Sequence, residues 1–133
     1  MHTLPIQIRF NDVDQMGHVN NAVIMEYLDL GKSTYFSAAG IPVTPDEGDF
    51  CVLIVHCELD FFRQIRYNDA VTVTTQVTRW GNKSLEVTQQ VLANGETAAT
   101  CKTVMSGFSR SSQAAAVIPE DIKDRVRSYE ATL

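Results

Sequence analysis

The sequence predicts an α+β fold class in which one antiparallel sheet wraps around a single long helix. Two observations lead to this prediction: one long segment has helical periodicity, and five other segments alternate between apolar and polar residues. A lone helix cannot bury its apolar face by itself, so a curved sheet around it is the simplest arrangement. The 133 residues have the length of one domain, and we assign residues 1–133 to a single domain.

The first two predicted elements are a strand over residues 4–10 and the long helix over residues 22–39. Asn20 or Asn21 can cap the start of the helix, and Gly40 ends it. Gly31 weakens the helix interior, and a close approach of the helix backbone to the sheet would explain its presence. The strand places on one face Leu4, Ile6, Ile8 and Phe10. The helix carries an apolar stripe of Ile24, Leu28, Gly31, Tyr35 and Ala38, outside which fall Glu26, Asp29 and Lys32.

Four further strands and a short helix complete the predicted elements. Asn94-Gly95 is a strong hairpin signal between the last two strands. The strand over residues 50–62 is expected to bury one face, made of Leu53, Val55, Cys57, Leu59 and Phe61. The other strands cover residues 71–79, 84–93 and 96–109, and an amphipathic helix covers residues 119–130. A loop rich in proline and acids occupies residues 42–49.

Composition excludes several classes of function. Eleven basic and sixteen acidic residues give a net charge of −5, which disfavours nucleic-acid binding because that requires neutralised phosphates. No apolar run approaches the roughly 20 residues of a membrane span, and no signal peptide is apparent. Three cysteines without CxxC spacing indicate free thiols in a reducing cytoplasm. No set of His, Cys, Asp and Glu has metal-ligand spacing, so we expect no metal and no other cofactor.

The stretch NDVDQMGHVNN, residues 11–21, is the candidate functional segment. Asn, Asp and Gly favour turns and helix caps, so the segment could simply connect the first strand to the helix. Alternatively, it brings carboxylates close to the free N–H groups and the positive dipole end of the helix. Such an arrangement can hold a carbonyl oxygen on N–H donors while a carboxylate approaches the carbon, as acyl transfer requires.

Three blocks of the sequence carry a resemblance to a known family. These are D-V-D-x-x-G-H-V-N-N before the helix, then F-x-R-x-x-R-Y-N-D-x-V-x-V, then G-N-K-S. From about Ile6 to Phe108 the chain resembles the hotdog-fold acyl-CoA thioesterases, and within them the 4-hydroxybenzoyl-CoA thioesterase-like subfamily. The resemblance implies a five-stranded antiparallel sheet around one central helix, and hydrolysis of an acyl-CoA thioester to free acid and CoA.

The resemblance also implies roles for individual residues. Asp14 would be the catalytic carboxylate, acting as nucleophile or as general base, and the backbone amide of Asn21 would polarise the carbonyl. Relatives often carry His or Tyr in place of Asn21, so proton transfer by the Asn21 side chain is excluded. Some relatives have a tyrosine in place of Phe10, so one possible polar partner of Asp14 is missing here. Predicted substrate contacts come from Gly17, His18 and Tyr27, with the loop over residues 42–49 contributing to selectivity. Asp12 is interpreted as a solvated or capping acid.

Coenzyme A carries several negative charges and requires a local basic site. In the resembling family the turn after the third strand helps to hold the phosphates, which indicates Arg79 and Lys83 here. Arg63 is a further candidate, and Trp80 could stack on adenine.

The resemblance implies a homodimer or homotetramer with active sites at the subunit interface. Two alternatives remain open, namely hydrolysis of a thioester on acyl carrier protein and a non-catalytic acyl-CoA-binding module.

Overall fold

The elements of the fold follow the chain in the predicted succession. A computed structural model describes residues 1–42 and 48–133. Two of the elements are helices, α1 (Asn21–Ala39) and α2 (Glu120–Ala131). The strands are β1 (His2–Ile6), β2 (Phe50–Phe61), β3 (Val71–Trp80), β4 (Ser84–Ala93), β5 (Glu96–Ser109) and β6 (Ala114–Ala115). The two-residue strand β6 is an addition that the sequence analysis did not predict.

All strands join one antiparallel sheet with the order β1-β3-β4-β5-β2, and β6 pairs with the end of β5. This confirms the predicted α+β class, with α1 packed on one face of the sheet. Strand β2 follows α1 in the chain but lies at the far edge of the sheet, beside β5. One long side of β2 therefore has no strand partner among the described residues.

Helix α1 packs its buried side onto the centre of the sheet. Its backbone comes so close to the sheet at Gly31 that an added Cβ would lie 2.6 Å from Val73 Cγ1. This confirms the expectation that Gly31 allows the helix backbone to approach the sheet closely. The prediction for Lys32 was wrong, because it is buried on the same side as Leu28 and Phe36 instead of facing outward with Glu26.

The first strand is shorter than predicted. Strand β1 ends at Ile6, which pairs with Val71 at the start of β3, so the ladder has no further partner. The chain then forms a 3-10 turn over Phe10–Asp12, in which the Arg9 N–H donates to Asp12 Oδ2 at 2.9 Å. Phe10 is consequently 83% exposed and does not share a buried face with Ile8.

A β-bulge changes the inward face of β2. The register with β5 shifts between Ile54 and His56. Ile54 pairs with the buried Met105, and after the bulge Cys57 pairs with the buried Thr103. Since paired residues share a face, even-numbered residues face inward before the bulge and odd-numbered ones after it. The prediction of one continuous buried face was therefore wrong for Leu53 and Val55, and it was also wrong for Phe61 at the end of the strand, since all three are exposed.

Three other expectations concern membranes, thiols and the loop over residues 42–49. No helix in the described ranges has both the length and the apolar composition needed to cross a lipid bilayer. Cys51, Cys57 and Cys101 are all free thiols. Residues 43–47 of the loop, for which we expected a role in selectivity, lie outside the described residues.

Candidate active site

Residues 13–19 form a tight loop that presents Asp14. Val13 and Val19 pair in a short antiparallel bridge that closes the base of the loop. Inside it, the Asp14 N–H donates to the His18 carbonyl at 2.9 Å, and the Gly17 N–H donates to the Asp14 carbonyl at 3.0 Å. Gly17 has φ +81°, a left-handed conformation that glycine adopts without strain. The segment thus forms the turn that its Asn, Asp and Gly residues predict.

The Asp14 carboxylate is only partly used by the turn. Its Oδ1 atom accepts N–H groups from Met16 at 2.9 Å and from His18 at 3.3 Å. No group in residues 1–42 or 48–133 donates to Oδ2. Asp14 is exposed, so one oxygen is fixed by the loop while the other remains available for chemistry.

The start of α1 leaves the backbone N–H of Asn21 without an acceptor among residues 1–42 and 48–133. Asn20 is the N-cap, and its Oδ1 accepts the Ala22 N–H at 2.8 Å. The N–H groups of Val23 and Ile24 both donate to the Asn20 carbonyl. Within the described part of the chain no acceptor takes the Asn21 N–H, which lies at the positive end of the helix dipole. This amide can therefore hold a developing oxyanion.

A cavity of about 620 Å³ brings the loop and the helix start together. Asp14, His18, Asn21 and Arg63 all line it. Met16, Val19 and Asn20 of the candidate segment also line the cavity. No functional role was predicted for the other lining residues, which are Ile24, Phe61, Phe62 and Gln64. Phe61 and Phe62 begin the F-x-R block, but only the edge position of β2 explains why both are exposed to a cavity.

Tyr27 lies outside this cavity. Its hydroxyl donates to Asp12 Oδ2 at 2.7 Å, and the ring is buried beside β1. Burial, followed by the hydrogen bond to Asp12, raises the pKa of Tyr27. Asp12 is a buried capping acid and not a solvated one, since it also accepts from the backbone and side chain of Arg9. The structure thus does not bring Tyr27 to the surface that Asp14 shares with Asn21.

The predicted basic residues fall at two opposite ends of the sheet. Arg63 lies at the Asp14 end, where Asp69, Glu96 and the Ala93 carbonyl already take its guanidinium N–H groups. Arg79 and Lys83 flank the β3–β4 hairpin at the other end, roughly 30 Å along the strands. Within one chain they do not meet the Asp14 cavity.

Another carboxylate on α1 and two neighbouring thiols lie apart from Asp14. Glu26 is exposed and pairs with Arg9 on another side of α1. Cys57 lies 3.4 Å from Cys101, and burial raises the pKa of the Cys101 thiol to about 11. Neither arrangement provides an activated nucleophile.

Comparison with known proteins identifies the family of this chain. Residues 8–126 match the family model of the thioesterase-like superfamily. A thioesterase from Thermus thermophilus, solved with coenzyme A and zinc, is 34% identical, with a TM-score of 0.83 over 97% of this chain and 93% of that one. A predicted thioesterase from Bacillus stearothermophilus is 27% identical, with a TM-score of 0.85 over 96% and 94%.

A curated relative also matches in sequence. The 1,4-dihydroxy-2-naphthoyl-CoA hydrolase of Synechococcus elongatus is 26% identical over 120 residues, which cover 88% of each chain. These likenesses confirm the predicted hotdog architecture, and the sheet of this chain also includes the short strand β6. The chain belongs to the thioesterase-like superfamily and is a thioester hydrolase.

Proposed function

We propose that this protein hydrolyses an acyl-CoA thioester to the free acid and CoA, with Asp14 and the Asn21 amide as the catalytic groups. The observation that carries this proposal is their common cavity. A carboxylate with one free oxygen and an unoccupied helix N–H line the same space. A thioester carbonyl whose oxygen binds the Asn21 N–H becomes more electrophilic, because the amide and the helix dipole stabilise negative charge on that oxygen.

Asp14 can complete the reaction by either of two routes. As a nucleophile, its free oxygen attacks the carbonyl carbon and expels the CoA thiolate, and water then hydrolyses the resulting anhydride. As a general base, it takes a proton from the water that attacks the same carbon. In both routes, the N–H groups of Met16 and His18 hold the other oxygen and orient the carboxylate.

Relatives support CoA as the carrier and an aromatic acyl group as the first candidate. The Synechococcus elongatus relative acts on 1,4-dihydroxy-2-naphthoyl-CoA, and the Thermus thermophilus thioesterase was solved with coenzyme A. The apolar wall formed by Phe61 and Phe62 suits an aromatic group. Three free cysteines fit a cytoplasmic location for this reaction.

Release of free thiol tests the proposed function. Purified protein is incubated with 1,4-dihydroxy-2-naphthoyl-CoA, benzoyl-CoA and hexanoyl-CoA, and with the hexanoyl ester of acyl carrier protein. We expect turnover of CoA esters, with the aromatic ones preferred. Turnover of the carrier-protein ester alone would show that acyl carrier protein, and not CoA, carries the acyl group of the substrate. Binding of every CoA ester without thiol release would contradict the assignment of Asp14.

We also propose that two copies of the chain pair through the free edge of β2. This edge strand spans Phe50–Phe61, and large apolar side chains are exposed along it and directly after its end, at Leu53, Ile54, Val55, Phe61 and Phe62. A long apolar edge promotes pairing with another strand, and a closed two-fold dimer covers it. Further pairing of dimers into a homotetramer stays a prediction.

Such a dimer would explain the positions of Arg79 and Lys83. A two-fold axis through β2 places the end of one β2 strand beside the start of the other. The hairpin end of one subunit then lies at the Asp14 end of its partner, although it is remote from Asp14 within one chain. We propose that Arg79 and Lys83 contact the CoA phosphates across this interface.

Val55→Asp is expected to separate the dimer, since it places a carboxylate at the exposed bulge of β2 on both subunits. Sedimentation should give at least twice the chain mass of 14.8 kDa for the wild type, or four times that mass if dimers pair, and a mass at least twofold lower for the variant. Val117→Asp is the matched control, because Val117 is similarly exposed but lies outside β2. A monomeric wild type at micromolar concentration would contradict this proposal.

A further inference from the structure

A second cavity, of about 390 Å³, lies farther along the same groove between α1 and β2. Its walls are mostly apolar and include Phe36, Val52, Ile54 and Met105. The Asp14 cavity takes residues from the start of α1 and the end of β2, whereas this one takes the second half of α1 and the start of β2. The two elements therefore run in opposite directions along one groove.

Lys32 is the unusual residue in the wall of the second cavity. Its side chain is 4% exposed, and its Nζ atom has no hydrogen-bond partner among the described residues. The ion pair that the structure shows for it is with Asp29 Oδ1 at 3.4 Å, and Asp29 itself is 57% exposed. A buried ammonium without acceptors is costly, so the site favours a ligand that supplies an oxygen.

The distance along α1 indicates which active site this cavity serves. Lys32 follows Asn21 by eleven residues, which corresponds to roughly 16 Å along the helix. When its carbonyl oxygen binds the Asn21 N–H, an acyl group of one or two aromatic rings is too short to reach Lys32 of the same chain. In the proposed dimer, the two-fold axis instead places the Lys32 cavity of one subunit beside the Asp14 cavity of its partner.

We propose that the Lys32 cavity binds the acyl group held at Asp14 of the other subunit, and that Lys32 selects acyl groups bearing a hydroxyl or carboxylate oxygen remote from the thioester. This inference rests on the proposed function and identifies a substrate class for it. Rotation of the flexible lysine side chain brings the ammonium from the wall to that oxygen, while the apolar wall contacts the rest of the acyl group. Lys32 is thus a specificity-determining residue of the reaction.

Pairs of substrates that differ by one oxygen test this selection. The ratio of kcat/KM for 4-hydroxybenzoyl-CoA over benzoyl-CoA, and for adipoyl-CoA over hexanoyl-CoA, is measured in wild type and Lys32→Met. The variant is expected to lower at least one ratio by roughly tenfold or more, the effect of one charge-assisted hydrogen bond, and to keep hydrolysis of the plain esters. Lys32→Gln serves as a second neutral variant should Lys32→Met fail to fold.

Lys123→Met is the matched control. Lys123 is also a largely buried lysine in an i,i+3 ion pair, with Glu120 at 3.6 Å, but it lies on α2 outside both cavities. This control should leave both ratios unchanged. Ratios that stay unchanged in Lys32→Met, or that fall equally in Lys123→Met, would overturn the role of Lys32.

A binding measurement shows whether this inference or the proposed function has failed. Calorimetry with the inert thioethers 4-hydroxyphenacyl-CoA and phenacyl-CoA reports selection without turnover. If the wild type hydrolyses no ester but prefers the hydroxylated thioether, and Lys32→Met loses that preference, the proposed function fails and the inference stands. An equal affinity of wild type and variant for the hydroxylated thioether, together with unchanged kcat/KM ratios for both substrate pairs, overturns the inference.

Mixed dimers test whether the two groups come from different subunits. A dimer of one Asp14→Asn chain and one Lys32→Met chain has one site with both native groups if they act across the interface. We expect such mixtures to recover hydrolysis of the oxygenated ester beyond that of either variant alone. Absence of recovery in dimers shown to be mixed would overturn the cross-subunit arrangement.

Discussion

Asp14→Asn is expected to lower kcat for thioester hydrolysis by roughly a thousandfold while leaving the fold intact. The loss is within the range for a removed general base, and a removed nucleophile would cost at least as much. The amide oxygen of asparagine can still accept the N–H groups of Met16 and His18, so the loop should keep its geometry. Thiol release under single-turnover conditions measures the chemical step directly.

Asp124→Asn provides the control for Asp14→Asn. Asp124 is an exposed acid on α2, and its replacement changes the net charge equally without touching the cavity. We expect wild-type kcat for this variant. Equal kcat for Asp14→Asn and wild type, with matching thermal unfolding, would remove Asp14 from the mechanism.

The periodic elements were predictable because each depends on its own residues. Helix α1 begins at Asn21 and ends at Ala39, and Gly40 after it has a φ of +85°, as in a left-handed helix cap. The Asn94-Gly95 hairpin likewise has both residues at positive φ. Local turn and cap chemistry is encoded over a few residues, so it can be interpreted without the tertiary structure.

The errors arose where distant parts of the chain decide the outcome. The bulge in β2 depends on its pairing with β5 and reverses which side chains face inward. Lys32 was assigned to the polar side of α1, although its four-residue spacing from Leu28 and Phe36 gave a signal that it shares their buried face. The CoA contacts of Arg79 and Lys83 stay a prediction, because within one chain both residues lie at the end of the sheet away from Asp14.

The site itself was predictable in part. Asp14, His18 and the Asn21 amide lie within one short segment, so their proximity follows from the sequence. Tyr27 follows in the same helix but points to Asp12, because helix rotation places it on the side that faces β1. Which residue of a helix reaches a cavity depends on that rotation and on the neighbouring strand.

Asp12→Asn is expected to lower the free energy of unfolding by about 3 kcal/mol at neutral pH, the largest stability effect that we predict for a single polar residue. Asp12 is 2% exposed and accepts hydrogen bonds from Arg9 and Tyr27. An amide cannot replace both carboxylate oxygens as acceptors, so a buried donor loses its partner. Urea unfolding measures the change, and Tyr27→Phe, which removes a single donor, should cost about 1 kcal/mol.

The difference in the free energy of unfolding between wild type and Asp12→Asn should depend on pH. This dependence shows whether the negative charge of Asp12 or its packing provides the stability. Burial alone raises the pKa of Asp12, but hydrogen bonds from the Arg9 backbone, the Tyr27 hydroxyl and the Arg9 side chain together outweigh it and hold the pKa below its usual value. The carboxylate therefore contributes its full stability above its unfolded pKa of about 4, and this contribution is lost as the pH falls through the folded pKa. The gap between wild type and Asp12→Asn should stay constant above about pH 5 and narrow in more acidic solution. A stability difference that stays the same in acid would mean that Asp12→Asn destabilises the protein through altered packing and not through loss of the ionised carboxylate.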